Sequence, residues 1–311
     1  MSRPPSQSGI VVPTIKTIMK PILYADIFDF PLTFEEVYQY VEVKTSHDEV
    51  RWLLNEAIEA GFIERVHGYY SLPDRTYLVD KRRKRQIASE KLWVKAKHFG
   101  YWLAALPFVR MVAVTGSLAV DNPRDGVDDI DYLIVTRAGR LWFCRALIIL
   151  MVRYGHLRGT HLCPNYLITE NKLAFDSIDF FTAREMIQMK LIYGTEFYRK
   201  MWQINNWVIR YFPQGKGVDP DSSYDALSSG QQFIKKLGEF VFSGFLGNLL
   251  ETWLQKYQVN KHTRLASQNG YRDTLVFTAD VCKGHYDGHK HKTMRAYQQR
   301  AEKYNLSLEN E

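Results

Sequence analysis

Two apolar segments with polar residues at their adjoining ends constrain the fold of this chain more than any other feature of the sequence. The first runs from Phe108 to Thr115 and ends in Gly116–Ser117, and the second runs from Asp129 to Thr136. Their length and their β-branched residues predict two strands, the first of which leads through a tight turn into a short helix. Because side chains alternate along a strand, Asp129 and Asp131 are predicted to lie on the same face.

These residue types indicate a site for a cation and a phosphate. Two carboxylates on one face of a strand repel each other unless a cation lies between them. Mg²⁺ is a hard cation that takes carboxylate oxygens together with the oxygens of a bound phosphate. The missing side chain of Gly116 lets the backbone come close to that phosphate, and the Ser117 hydroxyl and the turn amides can donate hydrogen bonds to it.

Two motifs in this region resemble the signature of the polymerase-beta-type nucleotidyltransferase superfamily, in the style of its minimal bacterial members. They are Thr-Gly-Ser-Leu-Ala and, after a short acidic loop over 120–127, Asp-Asp-Ile-Asp-Tyr-Leu-Ile-Val. The resemblance extends over about residues 109–184, under a third of the chain. It implies that Gly116 and Ser117 hold a nucleoside triphosphate and that Asp129 and Asp131 bind catalytic Mg²⁺, with Mn²⁺ as an alternative ion. The implied reaction moves a nucleoside monophosphate to an acceptor hydroxyl and expels pyrophosphate.

Such families also use a third carboxylate on a later strand, as a metal ligand or as a base. Asn165 stands in the next apolar run, where an acid would be sought. Asp179, on a predicted return strand over 173–181, is therefore the candidate for a third catalytic residue. The same position also suits a carboxylate at a helix N-terminus, because a predicted capping box over 182–185 follows it. The sequence leaves both roles open.

The region over 12–73 resembles a winged helix, with three predicted helices followed by a hairpin. Capping boxes begin helices at Thr33 and Ser46, and a hairpin with a glycine turn is predicted over 62–72. The exposed face of the helix after Ser46 is net acidic. Phosphates would repel that face, which disfavours DNA reading by this helix and favours a protein-contact or architectural role.

The remaining segments complete the predicted organisation. We expect a flexible leader over 1–11, a basic connecting helix over 74–104, the nucleotidyltransferase domain over 105–212, a linker over 213–230 and a helical C-terminal region over 231–311. The predicted fold class is therefore α+β, with a mixed sheet and flanking helices between the winged-helix-like domain and the helical region. The basic run over 81–85 is either a solvated face or an anion-binding stripe.

A cluster of metal-ligand residue types lies near the C-terminus. It comprises Cys282, His285, His289 and His291. The cluster predicts either a zinc site or a basic, histidine-rich turn.

Composition limits the class of protein and its partners. A net charge of +7 favours an anionic partner, and three cysteines are too few for a disulfide framework. No apolar run is long enough to cross a bilayer, so we expect a cytoplasmic protein without a membrane partner. The expected partners are a nucleoside triphosphate, an acceptor (protein, nucleic acid or small molecule) and a protein that contacts the N-terminal domain. The alternative to an enzyme is a non-catalytic nucleotide sensor that acts through the N-terminal domain on DNA or protein.

Overall fold

The computed structural model describes residues 13–126, 128–215, 227–269, 275–284 and 288–308. Its N-terminal part contains α1 Ile15–Asp26, β1 Leu32–Thr33, α2 Phe34–Tyr40, α3 His47–Glu59, β2 Glu64–Val66 and β3 Tyr69–Ser71. Among these described residues the strands pair antiparallel in the order β1-β3-β2. The side chains of Thr33 and Ser46 cap α2 and α3, and β2 pairs with β3, so the two capped helices and the hairpin are confirmed. The full capping box is formed at Thr33, whereas at α3 the Glu49 carboxylate accepts from the Thr45 hydroxyl at 3.0 Å.

The rest of the chain builds a larger sheet with helices on both faces. Its elements are α4 Leu78–Ala104, β4 Val109–Thr115, α5 Gly116–Ala119, β5 Ile130–Thr136, α6 Leu141–Leu157, β6 Leu162–Thr169, α7 Phe180–Gln188, β7 Lys190–Tyr193, α8 Thr195–Ile204, α9 Val208–Tyr211, α10 Ser229–Phe242, α11 Phe245–Asn269, β8 Leu275–Phe277, β9 Val281–Gly284 and α12 His289–Lys303. Within the described ranges the sheet order is β7-β4-β5-β6-β9-β8. Strands β5 and β6 are parallel, and the other neighbours are antiparallel.

Apolar side chains bury both faces of the larger sheet. On one face, Met111, Ala113 and Val135 share a core with the N-terminal helices and with α7, α8, α9 and α12. On the other face, Val112 and Ile134 pack with α4 and α6. Because both faces are covered, β4 and β5 consist almost entirely of apolar residues. The N-terminal part and the sheet therefore share one hydrophobic core.

Strand β7 differs from the sequence prediction. The sequence predicts two helices over 182–212 that are separated at Gly194, whereas residues 190–193 form a strand on β4. Gly194 has a φ of +92°, and a Cβ there would lie 2.2 Å from the Arg110 carbonyl oxygen. The glycine therefore allows a close turn against β4. A strand of 4 residues is too short to produce a recognisable periodicity.

The C-terminal region also differs from its prediction as wholly helical. Strands β8 and β9 extend the sheet beyond β6, with Leu167 paired to Cys282. The helix predicted from residue 231 is divided into α10 and α11 at Ser243–Gly244. Residues 173–179 form bends and irregular backbone, and residues 180–181 begin α7, so the return strand predicted over 173–181 does not form there. The predicted leader and most of the predicted linker lie outside the described residues.

The basic run over 81–85 contributes contacts within the fold. Lys81 pairs with Asp29 at 2.6 Å, and Arg82 pairs with Glu36 at 2.7 Å. These ion pairs fasten α4 to the N-terminal part. None of the helices in the described parts of the chain is both long and apolar enough to cross a membrane.

Candidate functional site

Strands β4 and β5 bring the two sequence motifs into contact. They pair antiparallel with Thr115 opposite Asp131, so the end of β4 lies beside the start of β5. Gly116 follows with a φ of +66°, and a Cβ at this position would lie 2.3 Å from Asp131 Oδ2. A side chain at residue 116 would be strained by its backbone conformation and would displace the carboxylate.

Asp131 is half-buried between β4 and β6. Asn165 Nδ2 donates to Asp131 Oδ1 at 3.3 Å, and Cys163 is the neighbour of Asp131 in the parallel pairing. Burial is the main reason that the pKa of Asp131 is raised to about 7; a hydrogen bond with Cys163 lowers this pKa, and the negative charges of Asp129 and Asp128 raise it. A cation bound here would therefore be needed to keep the carboxylate ionised at neutral pH.

Ser117 and Asp128 organise the loop between the two strands. The Ser117 hydroxyl donates to Asp128 Oδ2 at 3.3 Å, and the Arg124 backbone N–H donates to the same oxygen at 2.9 Å. Asp129 is exposed and precedes β5, although the sequence predicts that it lies on the strand. Its charge nevertheless acts on the Asp131 carboxylate. The predicted pair thus consists of one half-buried and one exposed carboxylate.

Helix α4 holds the start of this loop from the other side. Ser89 Oγ donates to Asp121 Oδ1 at 2.6 Å, and Trp93 Nε1 donates to the same oxygen at 2.9 Å. Asp121 has a φ of +53°, a conformation that aspartate tolerates better than most residues. These hydrogen bonds hold the residue that turns the chain away from α5.

The loop is also joined to the N-terminal part of the protein. Arg85 Nη1 donates to Asn122 Oδ1 at 2.7 Å and to the Phe28 carbonyl oxygen at 3.0 Å. Asn122 Nδ2 donates to the same carbonyl at 3.2 Å, and the Asn122 backbone N–H donates to the Ser117 carbonyl at 2.9 Å. A continuous set of hydrogen bonds therefore connects Phe28 with the turn that follows β4.

Asp179 acts as the N-cap of α7 in the structure. Its Oδ1 accepts a hydrogen bond from the Thr182 backbone N–H at 2.8 Å, and its Oδ2 forms an ion pair with Lys290. Burial alone would raise the pKa of Asp179, but the hydrogen bonds from Lys290 and Thr182 outweigh burial and lower it. Of the two roles that the sequence leaves open, this geometry favours the helix cap.

Glu185 is a candidate residue that sequence reasoning missed. The sequence predicts Glu185 as the last residue of a capping box that begins at Thr182, but α7 already begins at Phe180. Burial is the main reason that the pKa of Glu185 is raised to about 7; the charge of Asp131 also raises this pKa, and the charges of Arg184 and Lys283 lower it. A carboxylate among the apolar residues of a short helix is the sequence signal that could have found it.

The donor atoms of the site fit a magnesium ion. Over the described ranges, no set of three or more histidine, cysteine, aspartate or glutamate side chains is arranged to hold a metal ion by itself. Mg²⁺ commonly takes one or two carboxylates and completes its coordination with water and substrate phosphates. Asp129 and Asp131 supply such oxygens, and the Asp131 carboxylate is already partly desolvated beside like charges. Asp129 and Asp131 could therefore hold Mg²⁺.

The C-terminal cysteine and histidines give no support to a zinc site among the described residues. Cys282 is buried in β9, and the His289 ring stacks near Phe28 with ring centroids 6.3 Å apart. His285 lies outside the described residues. His291, which is described, belongs to α12.

Comparison of the chain with protein-family models, with curated proteins and with solved structures found no match. The geometry of the site therefore carries the functional conclusion.

Proposed function

We propose that the chain is a magnesium-dependent nucleotidyltransferase that moves a nucleoside monophosphate from a nucleoside triphosphate to an acceptor hydroxyl. The contact between Gly116 and Asp131 carries this proposal. It would seat a triphosphate, held by Gly116 and Ser117, directly beside the carboxylates of Asp129 and Asp131 that attract its cation. Both the phosphate and the metal would then share one small volume at the edge of β4 and β5.

The proposed chemistry is an in-line displacement at the α-phosphorus. The acceptor oxygen forms a bond to that phosphorus, the bond to pyrophosphate breaks, and the proton of the acceptor hydroxyl passes to a base. Bound Mg²⁺ would stabilise the charge that develops on the phosphate oxygens. The protein's part is to hold the triphosphate along the turn at 116–117 and to place the carboxylates of Asp129 and Asp131 next to it.

Glu185 suits the role of base better than Asp179. Its pKa of about 7 matches a proton acceptor that works near neutral pH, and its carboxylate responds to the charge of Asp131. Asp179 instead caps α7 and pairs with Lys290. We therefore assign proton transfer to Glu185 in the proposed reaction.

Nucleotide binding and pyrophosphate release by the full chain test the proposed function. Each of the four ribonucleoside triphosphates is tested, and both nucleotide binding and pyrophosphate release should require Mg²⁺ or Mn²⁺. Asp131→Asn should lower release at least about a hundredfold, because it removes a carboxylate charge that would hold the cation, and the cation stabilises the charge that develops on the phosphate oxygens. Asp80→Asn, an exposed position on α4, is the matched control and should behave as wild type. Metal-independent release, or full activity of Asp131→Asn, would refute the proposal.

A pair of variants separates the two candidates for the third acid. Glu185→Gln should retain triphosphate binding and lose pyrophosphate release. Asp179→Asn should retain release but lower the melting temperature, because a helix cap and an ion pair are weakened. The opposite pattern would assign the third acid to Asp179.

A non-catalytic nucleotide sensor is the second candidate function. The hydrogen bonds from Arg85 and Asn122 to the Phe28 carbonyl favour it, because they join the candidate triphosphate turn to the N-terminal part. Tight Mg²⁺-dependent binding without release, with every acceptor class tested, would favour the sensor over the enzyme.

The N-terminal part would act as a winged-helix-like module in either function. Three helices and the strand order β1-β3-β2 support this interpretation. The first turn of its helix α3 carries Asp48 and Glu49, so a protein partner is favoured over DNA. Electrophoretic mobility shift with random duplex DNA should therefore show no complex at physiological salt.

A further inference from the structure

Helices α10 and α11 form a hairpin that turns polar side chains towards the protein. Lys235 Nζ donates to the Ala104 carbonyl oxygen at 2.7 Å. Glu239 accepts a hydrogen bond from the Phe108 backbone N–H at 2.9 Å and pairs with Arg110 at 3.0 Å. These contacts fix the rotation of α10 about its axis.

The inner side of α11 is held in the same way. Glu251 accepts hydrogen bonds from the backbone N–H groups of Trp142 and Phe143 at 3.0 and 2.7 Å, and so caps the first turn of α6. Gln258 Nε2 donates to the Trp142 carbonyl oxygen at 3.1 Å. Apolar residues such as Leu254 complete this inner face.

The outer face of the hairpin is apolar and exposed. We define it by Phe233, Leu237 and Phe240 on α10 and by Phe245, Leu249 and Trp253 on α11. Their spacing of three to four residues puts each set on one side of its helix. Phe240 and Phe245 are 82% and 79% exposed, and contiguous exposure of this kind marks an interaction surface.

The exposed charges of the hairpin have one sign. Over residues 227–261, all of which are described, Lys236, Lys256 and Lys261 are exposed. The carboxylates of this range belong to Glu239 and Glu251, and both are engaged with inner partners. The surface is therefore apolar and positively charged.

We infer that the outer face binds an anionic lipid surface, with α10 and α11 lying in the plane of the interface. The outer face carries tryptophan, phenylalanine and leucine, as helices that lie in a lipid interface do. Lys236 lies three residues after Phe233 and Lys256 three residues after Trp253, so both amines can reach headgroups while the apolar side chains enter the lipid. Trp253 and Tyr257, whose rings stack at 5.8 Å, carry polar tips that suit the headgroup level. This inference does not depend on the proposed function. It differs from the sequence-based expectation of no membrane partner, which considered only segments long enough to cross a bilayer.

A second copy of the chain fits the outer face less well. A two-fold interface must be complementary to itself, yet two copies would bring lysines together without an exposed carboxylate from 227–261 to pair with them. An acidic protein would supply the charge. Protein interfaces, however, carry about one hydrogen bond per 100–200 Å², and among the six residues that define the outer face the Trp253 indole is the only polar group.

Co-sedimentation of the full chain with vesicles tests the inference. The protein should bind vesicles of equal parts phosphatidylcholine and phosphatidylglycerol, and should bind phosphatidylcholine vesicles far more weakly. The Lys236→Gln/Lys256→Gln/Lys261→Gln variant should lose about fivefold in affinity per lysine. The Phe240→Ser/Phe245→Ser variant should lose at least about tenfold, because less apolar area enters the lipid.

The control variant is Val94→Ser/Ile178→Ser, which removes side chains that are 72% and 62% exposed away from the hairpin. It should bind as wild type, and thermal melting should show that every variant is folded. Equal binding to both vesicle types, no binding to either type, or wild-type binding by Phe240→Ser/Phe245→Ser would each overturn the inference. So would a dimeric mass in solution that Phe240→Ser/Phe245→Ser reduces to a monomer, because a second copy would then cover the surface.

Discussion

The candidate site and the outer face of the hairpin depart from the usual distribution of side chains in opposite ways. In the site, the carboxylates of Asp131 and Glu185 are withdrawn from water near like charge. On the outer face, Phe240 and Phe245 are left in contact with water. Burying charge is unfavourable in the first region and hydrating apolar surface is unfavourable in the second. Each region would be relieved by something outside the chain, a cation in one and a lipid surface in the other.

The two regions differ in how the fold maintains them. The site depends on one backbone conformation at Gly116 and on hydrogen bonds through a short loop. The outer face depends only on helices that are fixed from their inner side. Small changes should therefore disrupt the site, whereas substitutions on the outer face should leave the fold intact.

The largest expected effect comes from Gly116→Ala. The new Cβ would meet Asp131 Oδ2 at 2.3 Å, and alanine would also have to adopt a φ of +66°. We expect a loss of about 2–3 kcal/mol in the free energy of unfolding, together with loss of Mg²⁺-dependent triphosphate binding. Chemical denaturation and titration calorimetry would measure the two effects.

Gly139→Ala is the matched control for that prediction. Gly139 has a φ of +69°, but a Cβ there would meet nothing within 4 Å. The free energy of unfolding of Gly139→Ala should fall by only about 1 kcal/mol from backbone strain, and this variant should bind triphosphate normally. Equal losses in the two variants would show that the contact with Asp131 is unimportant.

Glu251→Ala should have an intermediate effect, from the inner side of the hairpin. It leaves the backbone N–H groups of Trp142 and Phe143 without their acceptor, which should lower the free energy of unfolding by about 2 kcal/mol. Phe240→Ser, from the outer side, should change it by less than about 0.5 kcal/mol. If a urea titration showed similar losses in the free energy of unfolding for Glu251→Ala and Phe240→Ser, the outer face would be covered in solution.

The smallest effect concerns pH and Asp131. Its pKa is about 7 in the folded protein against 3.8 ordinarily, so the folded state keeps a proton that the unfolded state releases. The resulting stability is complete below about pH 4 and is lost as the pH rises to about 7. Over this pH range the free energy of unfolding of the metal-free wild type should fall by about 1–2 kcal/mol relative to that of Asp131→Asn, allowing for partial solvent screening. Melting curves that stay parallel across this range would contradict the assignment.

Sequence reasoning predicted the elements whose signals lie close together in the chain. Thr33 and Ser46 are followed within three residues by the groups that they cap, and β4 and β5 are long apolar runs. The contact between the motifs at Gly116 and Asp131 also follows from adjacent elements. These features need only local geometry and the pairing of neighbouring strands.

The features that sequence reasoning missed depend on distant contacts. Residues 190–193 and 281–284 are short segments that become strands because β4 and β6 offer them unpaired edges. Whether Asp179 or Glu185 approaches Asp131 depends on how α7 is rotated against the sheet, and the spacing of these residues does not determine that rotation. The sequence likewise does not reveal that the Asp128 carboxylate accepts a hydrogen bond from the Ser117 hydroxyl.

The pairing of early and late elements has a consequence for synthesis. Helix α1 packs on α12, with the Tyr24 and Tyr297 rings 5.2 Å apart and an ion pair of 2.8 Å between Arg300 and Asp26. Strand β6 likewise pairs with β9, which is synthesised much later. A chain that emerges from the ribosome N-terminus first therefore carries an uncovered helix face and an open strand edge until α12 has been made. Nascent chains with such surfaces are prone to aggregation. The N-terminal helices and the sheet therefore both obtain their last packing partners, α12 and β9, near the end of synthesis.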